Sequence, residues 1–240
     1  MAGVSSSFVL HGTENKKQLI NSINSIIRQS GTDKEVLIIC EKEIDKFRDE
    51  IQKSFGKLLR IHWIDAQSTP GKSLNKAFHA ASSPFILYMD NRESEITLKL
   101  GALELYQLAM HYNPLAGLIY ADYELEANGQ LKEIHLLKYH VGRVRDNQDF
   151  GKVFFLRKEA LEKAGFADEK LKFNTLYDLR LKISEQSQLV HLANRYAGSL
   201  YRIAAETKGH NVFDYLLASK ESQLEAEAVR AVLFRYRAMV

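Results

Sequence analysis

The 240-residue chain has one cysteine, Cys40, which excludes a disulfide framework and any zinc site built on cysteines. No apolar run approaches the length of a membrane span. The first residues, MAGVSSSFVLHG, lack the basic start and long apolar stretch of a signal peptide. Charge of one sign is also scarce. Lys and Arg number 33 against 30 Asp and Glu, a formal net charge of +3, and no dense basic stripe stands out, which argues against nucleic acid as a partner. There is no internal repeat and no low-complexity tract. The histidines, His79 and His140 among them, show no metal-ligand spacing and read as satisfied surface or core residues. With 45% hydrophobic and 26% charged residues, the expectation is a soluble globular protein in a reducing, cytoplasmic setting.

What is present is alternation. SSFVLH (6–11) reads as a strand, and Asn15 opens a helix with Leu19, Ile20, Ile23, Ile26 and Ile27 on one face. EVLIIC (35–40) is a second strand, and Ile44, Phe47, Ile51 and Phe55 mark a second helix. RIHWI (60–64), the helix SLNKAFHAA (73–81) and the strand FILYM (85–89) follow, then a longer helix from about Ile96 to Tyr112. This order predicts a mostly parallel sheet with helices on both faces, and strands 6–11, 35–40 and 85–89 in its centre. After Pro114, LIYADYEL and LKEIHLL around Asn128-Gly129 predict a hairpin. GKVFFLR (151–157) is another strand, followed by the helix KEALEKA, which Gly165 ends. Tyr120, Tyr123, Phe154 and Phe155 are expected in the core. From Lys220 to Met239 the chain reads as one helix with an apolar stripe of Leu224, Ala228, Ala231 and Val232. The division expected is a domain over 1–205 and a C-terminal helical extension over 206–240. That helix would pack on its own domain, a second subunit or a further domain, ahead of peripheral contact with an anionic membrane.

The chemistry gathers at strand ends. PFILYMDNRESE (84–95) is an apolar strand that stops at Asp90, with Asn91 and Arg92 next. In open α/β sheets ligands bind outside the carboxyl ends of strands, although an acid there also serves as a helix cap. AQSTPGKS (66–73) fits a relaxed phosphate-binding loop. Against that reading, Pro70 removes a backbone donor, and the loop follows the third strand instead of opening the domain.

Taken in order, EVLIICEKEID, GKSLNKAFHAASSPFILYMD, GKVFFLRKEALEKAGFADEKL and YDLRLKI resemble segments of the family 2 glycosyltransferases, laid along residues 6 to about 200. The resemblance implies an α/β, GT-A-like fold: a mostly parallel central sheet flanked by helices, a small antiparallel portion and the C-terminal helical extension. It implies transfer of a sugar from a nucleotide-diphospho-sugar donor to an acceptor hydroxyl, glycan or lipid-linked, in glycan or polysaccharide biosynthesis. Donor contacts would come from Thr13, Glu14, Glu41, Lys72, Asn75, Asp90, Asn91 and Arg92, with a metal at Asp90. In such enzymes a divalent ion held by D-x-D offsets the diphosphate charge, and a carboxylate deprotonates the acceptor.

Three departures fall on that chemistry. Cys40-Glu41 stands where the family has two acids, Asp90-Asn91-Arg92 stands in the D-x-D position, and Leu176 falls where the family carries its base. A guanidinium beside Asp90 repels a hard cation, so Mn or Mg is expected to be weakly bound or dispensable. Asp178 and Asp149 are the replacement base candidates. Asp146 lies three residues before Asp149, and Asp122 and Glu124 are expected to share one strand face. The rival readings are a GT-A-like binding or regulatory module that has lost catalysis, and a P-loop nucleotide-binding protein.

Overall fold

A computed structural model describes residues 6–31, 34–40, 45–140, 150–193, 198–204 and 219–237. Six strands and three helices follow the expected alternation: β1 (Ser6–His11), α1 (Lys16–Ile27), β2 (Glu35–Cys40), α2 (Asp45–Phe55), β3 (Arg60–Asp65), α3 (Pro70–Ala80), β4 (Phe85–Asp90), β6 (Ala116–Ala121) and β9 (Val153–Arg157). With β10 (Gln188–Leu192) they form a seven-stranded sheet ordered β10-β6-β9-β4-β1-β2-β3. β1 pairs in parallel with both β2 and β4, β2 with β3, and β10 with β6. Only β9 runs against its neighbours β4 and β6. Strands 6–11, 35–40 and 85–89 are interior, as their near-continuous apolar runs require.

The region after β4 departs from expectation. In place of one helix from Ile96, Glu95–Leu98 forms β5, and the next helix, α4, covers Ala102–Tyr112. Ile96 and Leu98 alternate inward along this short strand, and Gly101, at φ +80°, turns the chain into α4 in a conformation that disfavours side chains. LIYADYEL is likewise split at Asp122. β6 stays in the large sheet, while β7 (Tyr123–Ala127) pairs with β8 (Gln130–Ile134) through the expected Asn128-Gly129 turn. β5, β7, β8 and β11 (Tyr201–Ala204) make a second sheet ordered β5-β11-β7-β8. Asp122 and Glu124 therefore do not share a surface. Glu124 pairs with Lys99 and Arg202 in this second sheet.

Two helices close the rear of the chain: α5 (Lys158–Lys163) and α6 (Thr175–Gln186). The loop between them receives α3. A Cβ on Gly71 would overlap the Asp168 backbone, and the Asn75 amide bonds Ala167 in both directions at 3.0 Å. The final helix, α7 (Lys220–Arg237), docks on α6. The Glu225 carboxylate accepts from the backbone N–H groups of Lys172, Phe173 and Asn174 at 3.0, 2.9 and 2.7 Å. That latch sets which face turns inward. Ala226 and Val229 are buried, Val229 against Tyr177 and Leu181, while Leu224 and Val232 of the expected stripe remain 56% and 63% exposed. No helix among the described residues is long and apolar enough to cross a membrane.

Glu225→Ala removes four hydrogen bonds to a charged, half-buried carboxylate, three from backbone N–H groups and one from the Asn174 amide. It is expected to cost about 2 kcal/mol and to raise amide exchange selectively in α7, read by denaturant unfolding and hydrogen exchange. Unchanged protection of α7 would show that Ala226 and Val229 hold the helix without the latch.

Candidate functional site

β1 lies between β2 and β4, so the chain leaves it on one side for β2 and later returns on the other. That reversal opens a crevice at the carboxyl ends of β1 and β4. Registers align Val9, Tyr88, Phe154, Tyr120 and His191 across five strands. Two residues further along, on the same face, come His11, Asp90, Lys152 and Asp122. The ladder continues into this row, with Asp90 N donating to Lys152 O at 2.9 Å and Asp122 N to Leu192 O at 3.2 Å. Phe78 of α3 meets Tyr88 edge-on, and the Arg180 guanidinium of α6 lies 5.3 Å from the Phe154 ring centre, so α3 and α6 cover this face. Ser22 of α1 and Tyr106 of α4 cover the other.

Asp90 is not a helix cap, because the element after it is β5. Its carboxylate is gripped by Arg92, with Nε to Oδ1 at 2.8 Å and Nη2 to Oδ2 at 2.7 Å. The Asp90 side chain is 5% exposed and that of Arg92 is 42% exposed. Burial alone would raise the Asp90 pKa. The Arg92 charge and hydrogen bonds, with Lys152 behind them, instead hold it well below the carboxylate range. His11, beside Asp90 in register, is desolvated. Its pKa falls to about 4, with Asp90 opposing the shift and Arg92 reinforcing it. Tyr88 OH approaches His11 Nδ1 at 3.4 Å, and burial pushes that phenol up.

The other expected donor contacts divide. Thr13 and Glu14 follow β1 at the crevice; Thr13 Oγ1 accepts from Asn15 N (3.2 Å), and Glu14 is exposed. Lys72 is exposed in the first turn of α3, where Thr69 caps the helix and Pro70 takes the position with no hydrogen bond to lose. The stretch that fits a phosphate loop is thus an ordinary capped helix start. Asn75 is engaged with Ala167 and Glu169, and Asn91 is turned to the opposite face, where its amide bonds Ser22. Asp178 pairs with Lys182 at 2.9 Å and accepts from the Asp168 backbone; burial still leaves its pKa raised. Leu176 is half-buried against the core. Glu41, Asp146 and Asp149 lie outside the described residues.

A second buried carboxylate, Asp122, stands in the same row as Asp90, two strands away. His191 Nε2 lies 2.5 Å from Asp122 Oδ1, His135 Nδ1 lies 3.2 Å from Oδ2, and Leu136 N donates to Oδ1 at 2.8 Å. His191 stacks on Tyr120 with ring centres 5.0 Å apart. The sequence singles out Asp122 only as a strand neighbour of Glu124, without its histidine partners. The cluster's one local signal was an acid directly after the apolar run LIYA, the same pattern that marked Asp90. A divalent ion of the kind the resemblance implies does not fit here. Both Asp90 oxygens are occupied by Arg92, and no group of three His, Cys, Asp or Glu side chains among the described residues could hold a metal.

Arg92→Met strands a buried charge. Complete burial would cost about 3–5 kcal/mol; partial exposure of Arg92 lowers the expectation to about 2 kcal/mol. Asp90→Asn in the same chain should recover most of it in denaturant unfolding. His11 predicts an acid effect. The unfolded imidazole, near 6.5, binds a proton before the folded one, near 4, so stability falls as pH drops through that window. The loss is on the order of 3 kcal/mol, and His11→Gln should flatten the slope in melts taken from pH 7 to 4.

Residues 13–91, from the end of β1 through β4, match the model of Glycosyl transferase family 2. No curated protein matches the chain. Among solved structures, S. aureus TarS 1-349 superposes with a TM-score of 0.70 at 15% identity, covering 96% of this chain and 65% of that one. TarS 1-349 in complex with UDP gives 0.71 at 14%, over 96% and 65%, and in complex with UDP-GlcNAc 0.70 at 15%, over 96% and 66%. The chain therefore spans slightly under two thirds of TarS 1-349, and at these identities the likeness is one of fold. The strand order, the crevice at β1 and β4 and the matched segment together identify a GT-A-like fold that is family 2 glycosyltransferase-like over residues 13–91.

Proposed function

We propose that the chain binds a nucleotide-diphospho-sugar over the carboxyl ends of β1 and β4 and transfers its sugar to an acceptor hydroxyl on a glycan or lipid-linked chain. The observation that carries this reading is that the family match covers the crevice and ends at Asn91, one residue past the Asp90 that lines it. TarS 1-349 has been solved with UDP and with UDP-GlcNAc, which makes a uridine diphosphate sugar the first donor to test. In this reading the nucleoside lies over 12–15. The diphosphate meets Lys72, Lys152 and the face of Arg92 turned away from Asp90. A guanidinium carries five donors, and Asp90 takes only those on Nε and Nη2. Arg92 supplies one fixed positive charge where a metal supplies two, so nucleotide binding needs little or no Mn or Mg, and turnover is slow.

A specific observation favours a second reading, a binding or regulatory module. Leu176 stands at the position of the family's base, and nearby Asp178 is tied to Lys182 and the Asp168 backbone. A second copy or further domain docking through α7 would meet its outward Leu224 and Val232, since the inward face is occupied.

Calorimetric titration with UDP, in manganese and in chelator, tests the site. Similar affinities are expected in the two conditions. Lys72→Ala should weaken binding by about tenfold, or 1.4 kcal/mol, without lowering the melting temperature, and Arg92→Asp should create manganese dependence. Strong manganese dependence in the parent would refute the role given to Arg92. Release of UDP from UDP-GlcNAc separates the enzyme from the module.

A further inference from the structure

Transfer needs a group that takes the acceptor's proton, and the carboxylates near the family position do not offer one freely. Leu176 cannot accept a proton, and Asp178 already neutralises Lys182. The row of strand-end residues that contains Asp90 has another basic centre. Asp122 is 1% exposed and bonds His191 on β10, whose side chain is 9% exposed. Asp90 and Asp122 stand on β4 and at the end of β6, with only β9 between them. Two strand spacings place the two carboxylates about 10 Å apart on one face, and His191, on the next strand β10, lies about one strand spacing beyond Asp122; the donor sugar and the acceptor together would span that gap.

We propose that His191, oriented by Asp122, is the base that deprotonates the acceptor; the assignment rests on the transfer reading above. Asp122 Oδ1 fixes the tautomer by accepting from Nε2–H at 2.5 Å, which leaves the lone pair on Nδ1. Tyr120, stacked on the imidazole, fixes its plane, and its own hydroxyl is engaged elsewhere, donating to Leu137 O at 2.7 Å and accepting from Tyr139 N. As the acceptor oxygen bonds to the anomeric carbon, its proton passes to Nδ1. The bond from that carbon to the phosphate oxygen breaks, and the nucleoside diphosphate leaves with the electron pair. The imidazolium is offset by Asp122 and later returns its proton to solvent. Other ionisable groups around this centre are Glu133 on β8, His135 directly after it, and Arg180 of α6 near Tyr120. His191 is the catalytic residue, and Asp122 positions it.

The test measures UDP release from UDP-GlcNAc, with water as acceptor, alongside calorimetric UDP affinity. His191→Gln should slow release by about 100-fold or more while UDP affinity stays within twofold. It should also abolish the parent's loss of rate at low pH, which a purely structural role would not do. Asp122→Asn should lower kcat with KM little changed. If His191→Gln melts early, His191→Asn and Asp122→Asn with parental melting temperatures carry the comparison. A parental rate in a folded His191 variant overturns the assignment, and so does a parent that binds UDP but releases none from UDP-GlcNAc at any pH. A parent that binds no UDP removes the transfer reading itself.

Discussion

The candidate site hangs on β4. It is the middle strand of seven, held in parallel by β1 and antiparallel by β9, with every residue from Ile86 to Asp90 buried. A strand paired on both sides cannot slip by one residue without turning its whole apolar set to the wrong face. Asp90 is thereby fixed at the mouth of the sheet beside His11, whatever the loops around it do. The buried carboxylate in turn demands a partner, because an uncompensated charge in that place would cost several kcal/mol. Arg92, two residues on, is the nearest chain element able to supply one, and its bidentate grip sets the electrostatics of the crevice.

Two buried carboxylates in one row have been neutralised in different ways. Asp90 is matched by a guanidinium that stays charged at any ordinary pH, which makes its end of the row a permanent ion pair. Asp122 is matched by two imidazoles, His191 and His135, which are able to donate and to accept a proton. The first arrangement suits a place where a fixed charge meets an anion. The second suits a place where a proton moves. The covering layer keeps this division rigid: the loop between α5 and α6 locks α3 through Gly71 and Asn75, and α7 closes the start of α6 through Glu225.

The amino-acid sequence by itself determined the layered architecture. Near-continuous apolar runs at 6–11, 35–40 and 85–89 are satisfied by burial on both faces, and Asn15, Thr69 and the Asn128-Gly129 pair act on their immediate neighbours. Asp90 and Arg92 were legible for the same reason, being adjacent to a strong strand signal. Tertiary structure decided the rest. Residues 95–98 became a strand because β11, more than a hundred residues later, supplies the hydrogen bonds for its edge. The buried face of α7 was chosen by Glu225 reaching three distant N–H groups, against the helix's own apolar stripe. Asp122 met His191 across 69 positions of sequence only because β6 and β10 pair in the register that holds after the shift between Gln188 and Leu189. Such meetings are set by strand order and pleat, which act through the folded sheet and leave no periodic trace in the local sequence.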